Sequence, residues 1–157
     1  MKKLLTILFF SMLTLMTFAQ KPKVELEGDR VKVNGVSSFL VESKTMGNQF
    51  LSKNLAGELL ISMMYQDYTD PAKVSSANKT GKVVYIEVTF LGSGNVAEFA
   101  PLGIGKKMIA KQVIENEFLN GDKINETGEI NFCKIYGRKY SAERARLSQP
   151  DVIIINR

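Results

Sequence analysis

Whatever chemistry this chain performs, it performs without histidine. The 157 residues contain no His, no Trp and one Cys, and carry a formal charge of +5. The missing imidazole removes Ser-His and Cys-His nucleophile pairs, His-ligated zinc and His proton shuttles. A solitary Cys133 removes intramolecular disulfides and thiolate-clustered metal centres. Beside Phe132 and Ile135 it reads as a small buried hydrophobe rather than a reactive thiol.

Carboxylates are the acid–base groups left in quantity. Glu87 and Glu98 fall on segments expected to pair, and Asp67 and Asp70 stand where a loop begins. Two carboxyl groups ~5–9.5 Å apart across a cleft are what glycoside hydrolysis requires. Glu87, however, lies between Ile86 and Val88, which should face a core, so Glu87 should face water. Glu87 and Glu98 are therefore expected to be surface charges. Calcium would need oxygen ligands at spaced positions. Asn120-Gly121-Asp122-Lys123-Ile124-Asn125-Glu126 lacks that spacing and reads as a turn between helices, so no metal is expected.

Gly103-Ile104-Gly105-Lys106-Lys107 suggests a phosphate loop, but Ala100 stands where the first Gly belongs and Lys107 where Ser or Thr should follow Lys. Gly92-Ser93-Gly94 lacks the third Gly of a dinucleotide fingerprint. No cofactor is expected. Asn78-Lys79-Thr80 and Asn125-Glu126-Thr127 match the glycosylation sequon, a pattern common by chance.

The remaining chemical resource is positive charge near the carboxyl end. Residues 134–157 hold six basic residues against two acidic ones, whereas residues 20–133 hold 13 basic and 14 acidic. Arg138, Lys139, Arg144 and Arg146, interleaved with Tyr140, are the candidate contacts for a polyanion. A solvated basic face is the alternative reading of the same residues.

These groups need elements to position them. From Val24 to Glu42 apolar residues alternate in three runs, broken at Gly28-Asp29 and at Asn34-Gly35. The second pair is the favoured dipeptide of a type I′ hairpin. Phe50-Leu51 marks a brief strand. Leu59 to Tyr68 and Lys82 to Leu91 read as longer ones, with a polar loop over 69–81 between them. Gly92 to Asn95 turns the chain back into a strand over 96–100.

After Pro101 the apolar period lengthens. Residues 103–119 predict a helix with Ile109, Ala110, Val113, Ile114 and Phe118 on one face. A second helix is expected from Glu126 to Tyr136, with Asn125 as N-cap and Gly137 just past its end. Gly128 weakens it. Ser141 is placed to cap a short helix through Arg146, and Val152 to Ile155 read as a final strand seeking a sheet edge. Strands first and helices after predict an α+β fold: an antiparallel meander of about 5–7 strands, two helices on one face, and a short terminal strand.

The amino terminus reads as an address. Lys2 and Lys3 precede an uncharged, largely apolar run from Leu4 to Phe18, with Thr17 and Ala19 at −3 and −1 of a cut before Gln20. Those are the parts of a secretory signal peptide, and the run is shorter than the ~20 residues of a membrane span. The segment resembles the signals of short, uncharacterised exported proteins of Gram-negative bacteria. That resemblance covers the first 20 residues alone. It implies a periplasmic, secreted or outer-surface location and no catalytic residue.

The expected organisation is a signal peptide over 1–19 and one domain over 20–157 with a basic tail over 138–157. The expected role is binding rather than catalysis, through the open face of the sheet or the basic tail. The partners this implies are an envelope polyanion, or a protein joined by strand addition. Nucleic acid is not expected in that compartment, nor a transmembrane helix after cleavage. The alternative is a small hydrolase of envelope glycan working through Glu87, Glu98 or Asp67.

Overall fold

The computed structural model describes residues 21–101, 103 and 105–149. The signal-peptide segment and the expected strand at Val152 to Ile155 lie outside the described residues.

Seven strands form one antiparallel sheet in strict chain order. They are β1 (Val24–Glu27), β2 (Arg30–Val33), β3 (Val36–Lys44), β4 (Gln49–Lys53), β5 (Leu59–Thr69), β6 (Lys82–Phe90) and β7 (Val96–Phe99). Asn34 and Gly35 both take positive φ, 52° and 83°, as the predicted type I′ turn requires. A bulge between Val31 and Lys32 interrupts the β2–β3 register. The 70–81 loop is more ordered than its composition suggests. Asp70 caps a 3₁₀ turn through Ala72 N, and the Asn78 side chain bonds both the N–H and the C=O of Lys82.

Alternation gives the sheet two unlike faces. On one, Val31, Phe39, Val41, Phe50, Ile61, Met63, Ile86, Val88, Phe90, Ala97 and Phe99 are buried. Helices α1 (Lys106–Glu115) and α2 (Glu126–Tyr136) cover this face, as expected for an α+β fold. Ile109, Ala110 and Val113 of α1 enter the core, and α1 packs on β1 and β3 while α2 packs on β7. Edge-to-face aromatic contacts run through the interior. Phe90 to Phe118 is 5.0 Å between ring centres, Phe118 to Phe132 is 4.8 Å, and Phe132 to Phe99 is 5.7 Å.

The first helix is shorter than the 103–119 expected. Asn116 closes it, Glu117 turns left-handed (φ 52°), and Phe118 reaches the core from the link that follows the helix. The segment that follows is also not the simple turn expected. Leu119–Asn120 pairs with Lys123–Ile124 in a two-stranded ribbon, β8 and β9. Helix α2 matches its expectation: the Asn125 side chain accepts from Thr127 N, and Gly137 (φ 54°) ends it. Its internal Gly128 has a packing reason. A Cβ there would stand 2.3 Å from the Glu117 carbonyl oxygen.

The tail adds a third helix, α3 (Lys139–Leu147), on the opposite face of the sheet. Tyr140 stacks on Tyr85 of β6, with ring centres 5.1 Å apart and planes 10° from parallel. Ile86, Val88 and Phe90 of β6 face the core, so Tyr85, one residue out of step with them, points away from α1 and α2. The chain passes from α2 to α3 around the free edge of β7, where Glu98 N donates to Gly137 O at 2.8 Å.

Candidate functional site

The residue that positions the basic helix is Glu98, and its sequence expectation requires correction. Far from being a surface charge, Glu98 is fully buried. Its Oε2 accepts from the backbone N–H groups of Tyr140 (2.7 Å) and Ser141 (2.9 Å), the first turn of α3. A carboxylate there satisfies two orphan donors and meets the positive end of the helix dipole. The cap therefore comes from β7, not from Ser141, whose hydroxyl bonds the Arg138 carbonyl instead. Alternation missed this because α3 covers the face that sequence periodicity assigns to water. Among the described residues Glu98 Oε1 finds no hydrogen-bond donor, and Arg138 Nε stands 3.9 Å from it.

The four candidate cations sit on or beside α3 without forming one patch. Arg138, at the N-cap position, has a side chain 61% exposed and leans toward Glu98. Lys139 places its ammonium 5.1 Å from the Tyr140 ring centre. Arg146 is held by Glu143 through two hydrogen bonds of 2.9 and 2.6 Å. That contact, led by the hydrogen bond, holds the Glu143 carboxyl below and the Arg146 guanidinium above their ordinary values. At 100° per residue, Lys139, Glu143 and Arg146 share one stripe, while Arg144 points to another side. There it lines a shallow groove of about 320 Å³ with Gln66, Tyr85, Glu87, Ser141 and Ser148. Among the described residues Lys139 and Arg144 have no acidic partner within ion-pair distance.

Glu87 and Glu98 are direct register partners. Since Glu98 N–H points away from β6 to Gly137, theirs is a non-hydrogen-bonded pair, with Cα atoms only ~4.5 Å apart. Proximity is therefore met, but accessibility is not: Glu98 is sealed beneath α3 and only Glu87 lines the groove. Asp67 is exposed beside Lys82 at 3.5 Å, and Asp70 is buried as a turn cap. Of these carboxylates only Glu87 and Glu98 are neighbours, and only Glu87 of that pair is reachable.

Other candidates resolve into architecture. Gly103 O accepts from Tyr65 OH at 2.6 Å, and Gly105 (φ 110°) starts α1 without a side-chain cap. Lys106 reaches Asp29 Oδ1 at 2.6 Å and Gly28 O at 3.1 Å, tying α1 to the β1–β2 turn rather than offering itself to a phosphate. Cys133 is half-buried against the core, and burial, with a lesser push from Glu129, raises its thiol. Among the described residues no three acidic or Cys side chains group to hold a metal, and no helix is long and apolar enough to cross a membrane. At the sheet edges, Gly137 occupies the Glu98 amide of β7. Among the described residues the outer edge of β1 has no strand partner, and it is flanked by Lys21-Pro22-Lys23, the residue types that discourage strand addition.

Comparison with models of protein families, with curated proteins and with solved structures finds no match to this chain.

Proposed function

We propose that this chain is a non-enzymatic binding protein exported to the bacterial cell envelope, with α3 as the surface that receives an anionic envelope component. The observation that carries the proposal is the clamp on α3. A buried carboxylate fastens a helix rich in Lys and Arg to the sheet, and Lys139 and Arg144 remain without acidic partners among the described residues. Because the cations are spread around the helix, they suit an extended anion, such as phosphates on a lipid surface or an acidic glycan, better than a single small ion. Near an anionic surface each cation is worth ~1 kcal/mol, so two give binding that is weak, reversible and salt-sensitive. The hydrolase alternative needs two reachable carboxylates, and the enclosure of Glu98 leaves the groove with one.

The test is co-sedimentation of the purified protein with vesicles of phosphatidylglycerol and phosphatidylcholine, compared with phosphatidylcholine alone. Binding should require the anionic lipid, should fall as salt shortens the Debye length to ~8 Å and below, and should be lost in Lys139→Gln/Arg144→Gln. A double variant that sediments like the parent refutes the assignment of α3. Export is tested separately by fractionation and amino-terminal sequencing, which should find the envelope protein starting at Gln20.

A further inference from the structure

At the end of the sheet where β5 starts and β6 stops, three depressions of about 430, 360 and 460 Å³ run together around the β8–β9 ribbon. Asp122 is common to the first two; Gly92, Lys123 and Ile124 are common to the last two. Apolar side chains line this channel while facing water. Leu55 is 46% exposed, Leu59 37%, Leu91 44% and Ile130 44%, four of the nine exposed large hydrophobic side chains among the described residues, brought together from three separate segments. Isolated exposed leucines are ordinary, but a contiguous apolar strip inside a groove marks an interaction site.

The charge along the strip is predominantly negative. Glu58, Asp122, Glu126 and Glu129 line it against the single cation Lys123. Glu129 is 3% exposed and fixed: its Oε1 accepts from Ser93 Oγ and from Asn95 Nδ2 at 2.7 Å, binding the β6–β7 turn to α2. Glu58 is held in the β4–β5 turn by Asn54, whose Nδ2 also donates to the Asp122 carbonyl. The walls of the groove are thus tied to one another, and the acidic border does not depend on loose side chains. The basic α3 lies on a different face of the sheet, so this surface is separate from the proposed anion-binding one.

We infer that this groove docks a segment of a partner protein that presents a row of apolar side chains flanked by Lys or Arg. The apolar strip takes the row, and the carboxylate border selects the flanking charge.

The experiment is a titration of the protein, recovered from expression of the full chain, with a labelled peptide of Leu and Lys about four helical turns long. Its leucines recur every three or four residues, and a Leu/Glu peptide of the same pattern is the control. The Lys peptide should bind, the Glu peptide should not, and amide shifts should map to residues 55–60, 91–95 and 121–130. Leu59→Ser/Leu91→Ser/Ile130→Ser should weaken binding at least tenfold, and Asp122→Asn/Glu126→Gln should weaken it severalfold and flatten its salt dependence. Unchanged thermal midpoints in both variants show that the groove, not the fold, was altered. Equal binding of both peptides, shifts on the α3 face, no binding, or self-association through residues 55–60 and 121–130 would each overturn the inference. None of these outcomes bears on binding to anionic lipid at α3.

Discussion

Replacing Glu98 by Gln isolates what holds the basic helix in place. Gln keeps the length and one carbonyl oxygen, so the N–H groups of Tyr140 and Ser141 retain an acceptor where they now find Glu98 Oε2 at 2.7 and 2.9 Å. Two things are lost. Charge-assisted bonds become neutral ones, a difference of ~1 kcal/mol each. The Gln NH₂ also replaces Oε1, which has no hydrogen-bond partner among the described residues, so a donor is buried without an acceptor at a cost of ~1–3 kcal/mol. Against this stands relief from burying a charge, which takes back part of the loss. The net expectation is a loss of ~1.5–3 kcal/mol confined to α3. What remains there is chiefly the Tyr85–Tyr140 stack, worth ~0.5–1.5 kcal/mol, because no α3 residue is fully buried. At ~1.4 kcal/mol per factor of ten, amide exchange at Ala142 to Ser148 should accelerate about 10- to 150-fold, while Val113 and Phe132 on the other face keep their protection. Native-state hydrogen exchange by NMR reads both. If Glu98→Gln leaves α3 protection unchanged, the clamp is not what secures the helix. If core and α3 lose protection together, the helix is part of the cooperative fold and the argument for a separately held element fails.

Gly128→Ala should destabilise the protein by ~1–3 kcal/mol despite the higher helix propensity of Ala, because the new Cβ meets the Glu117 carbonyl at 2.3 Å; a urea midpoint equal to or above the parent's would show that the two backbones can part. Glu143 is depressed in the folded protein mainly by its hydrogen bond from Arg146. Its contribution is therefore complete above the ordinary carboxylate value and disappears as pH falls through the lower folded value. Amide protection in α3 should decline through that acidic window, and Arg146→Gln should remove this component; an unchanged acid profile in the variant counts against it. Cys133, raised by burial and by Glu129, should alkylate with iodoacetamide at neutral pH more slowly than glutathione does, and a faster rate would identify an activated thiol.

What was legible in the sequence was what a local period can encode. Alternation placed the strands, Asn34-Gly35 set a turn that needs two positive φ values, and Asn125 with Gly137 bracketed α2, because each signal is local to the element it governs. The misreadings have a common cause in partners distant along the chain. Phe118 sits at helical spacing from Val113 and Ile114, yet the helix stops short of it, since Glu117 must turn left-handed to bring its carbonyl against Gly128. Glu98 follows a solvent-facing pattern on β7, and only the return of residues 138–141 around that edge makes it a buried cap. The acidic groove likewise draws Leu59, Leu91, Ile124 and Ile130 from four segments, none of which carries a recognisable motif.

The position of α3 bears on its use. Helices α1 and α2 are held by apolar residues buried in the core, so moving either would expose several side chains at ~1.5–3 kcal/mol each. Helix α3 is held by polar contacts at one end and a single ring stack, on a face the core does not need. Helix α3 adds little to the hydrophobic core, and core packing does not require its excess of cations. Elements of low local stability are where binding surfaces are commonly found, since they can adjust to a ligand without disturbing the core. Anionic ligand at Lys139 and Arg144 would also oppose the cationic self-repulsion of the helix, so binding and docking of α3 should reinforce one another. Amide protection of Ala142 to Ser148 should therefore rise when anionic vesicles are added, and most visibly in Glu98→Gln, where the clamp has been weakened. Vesicles that bind without raising that protection would place the contact elsewhere on the molecule.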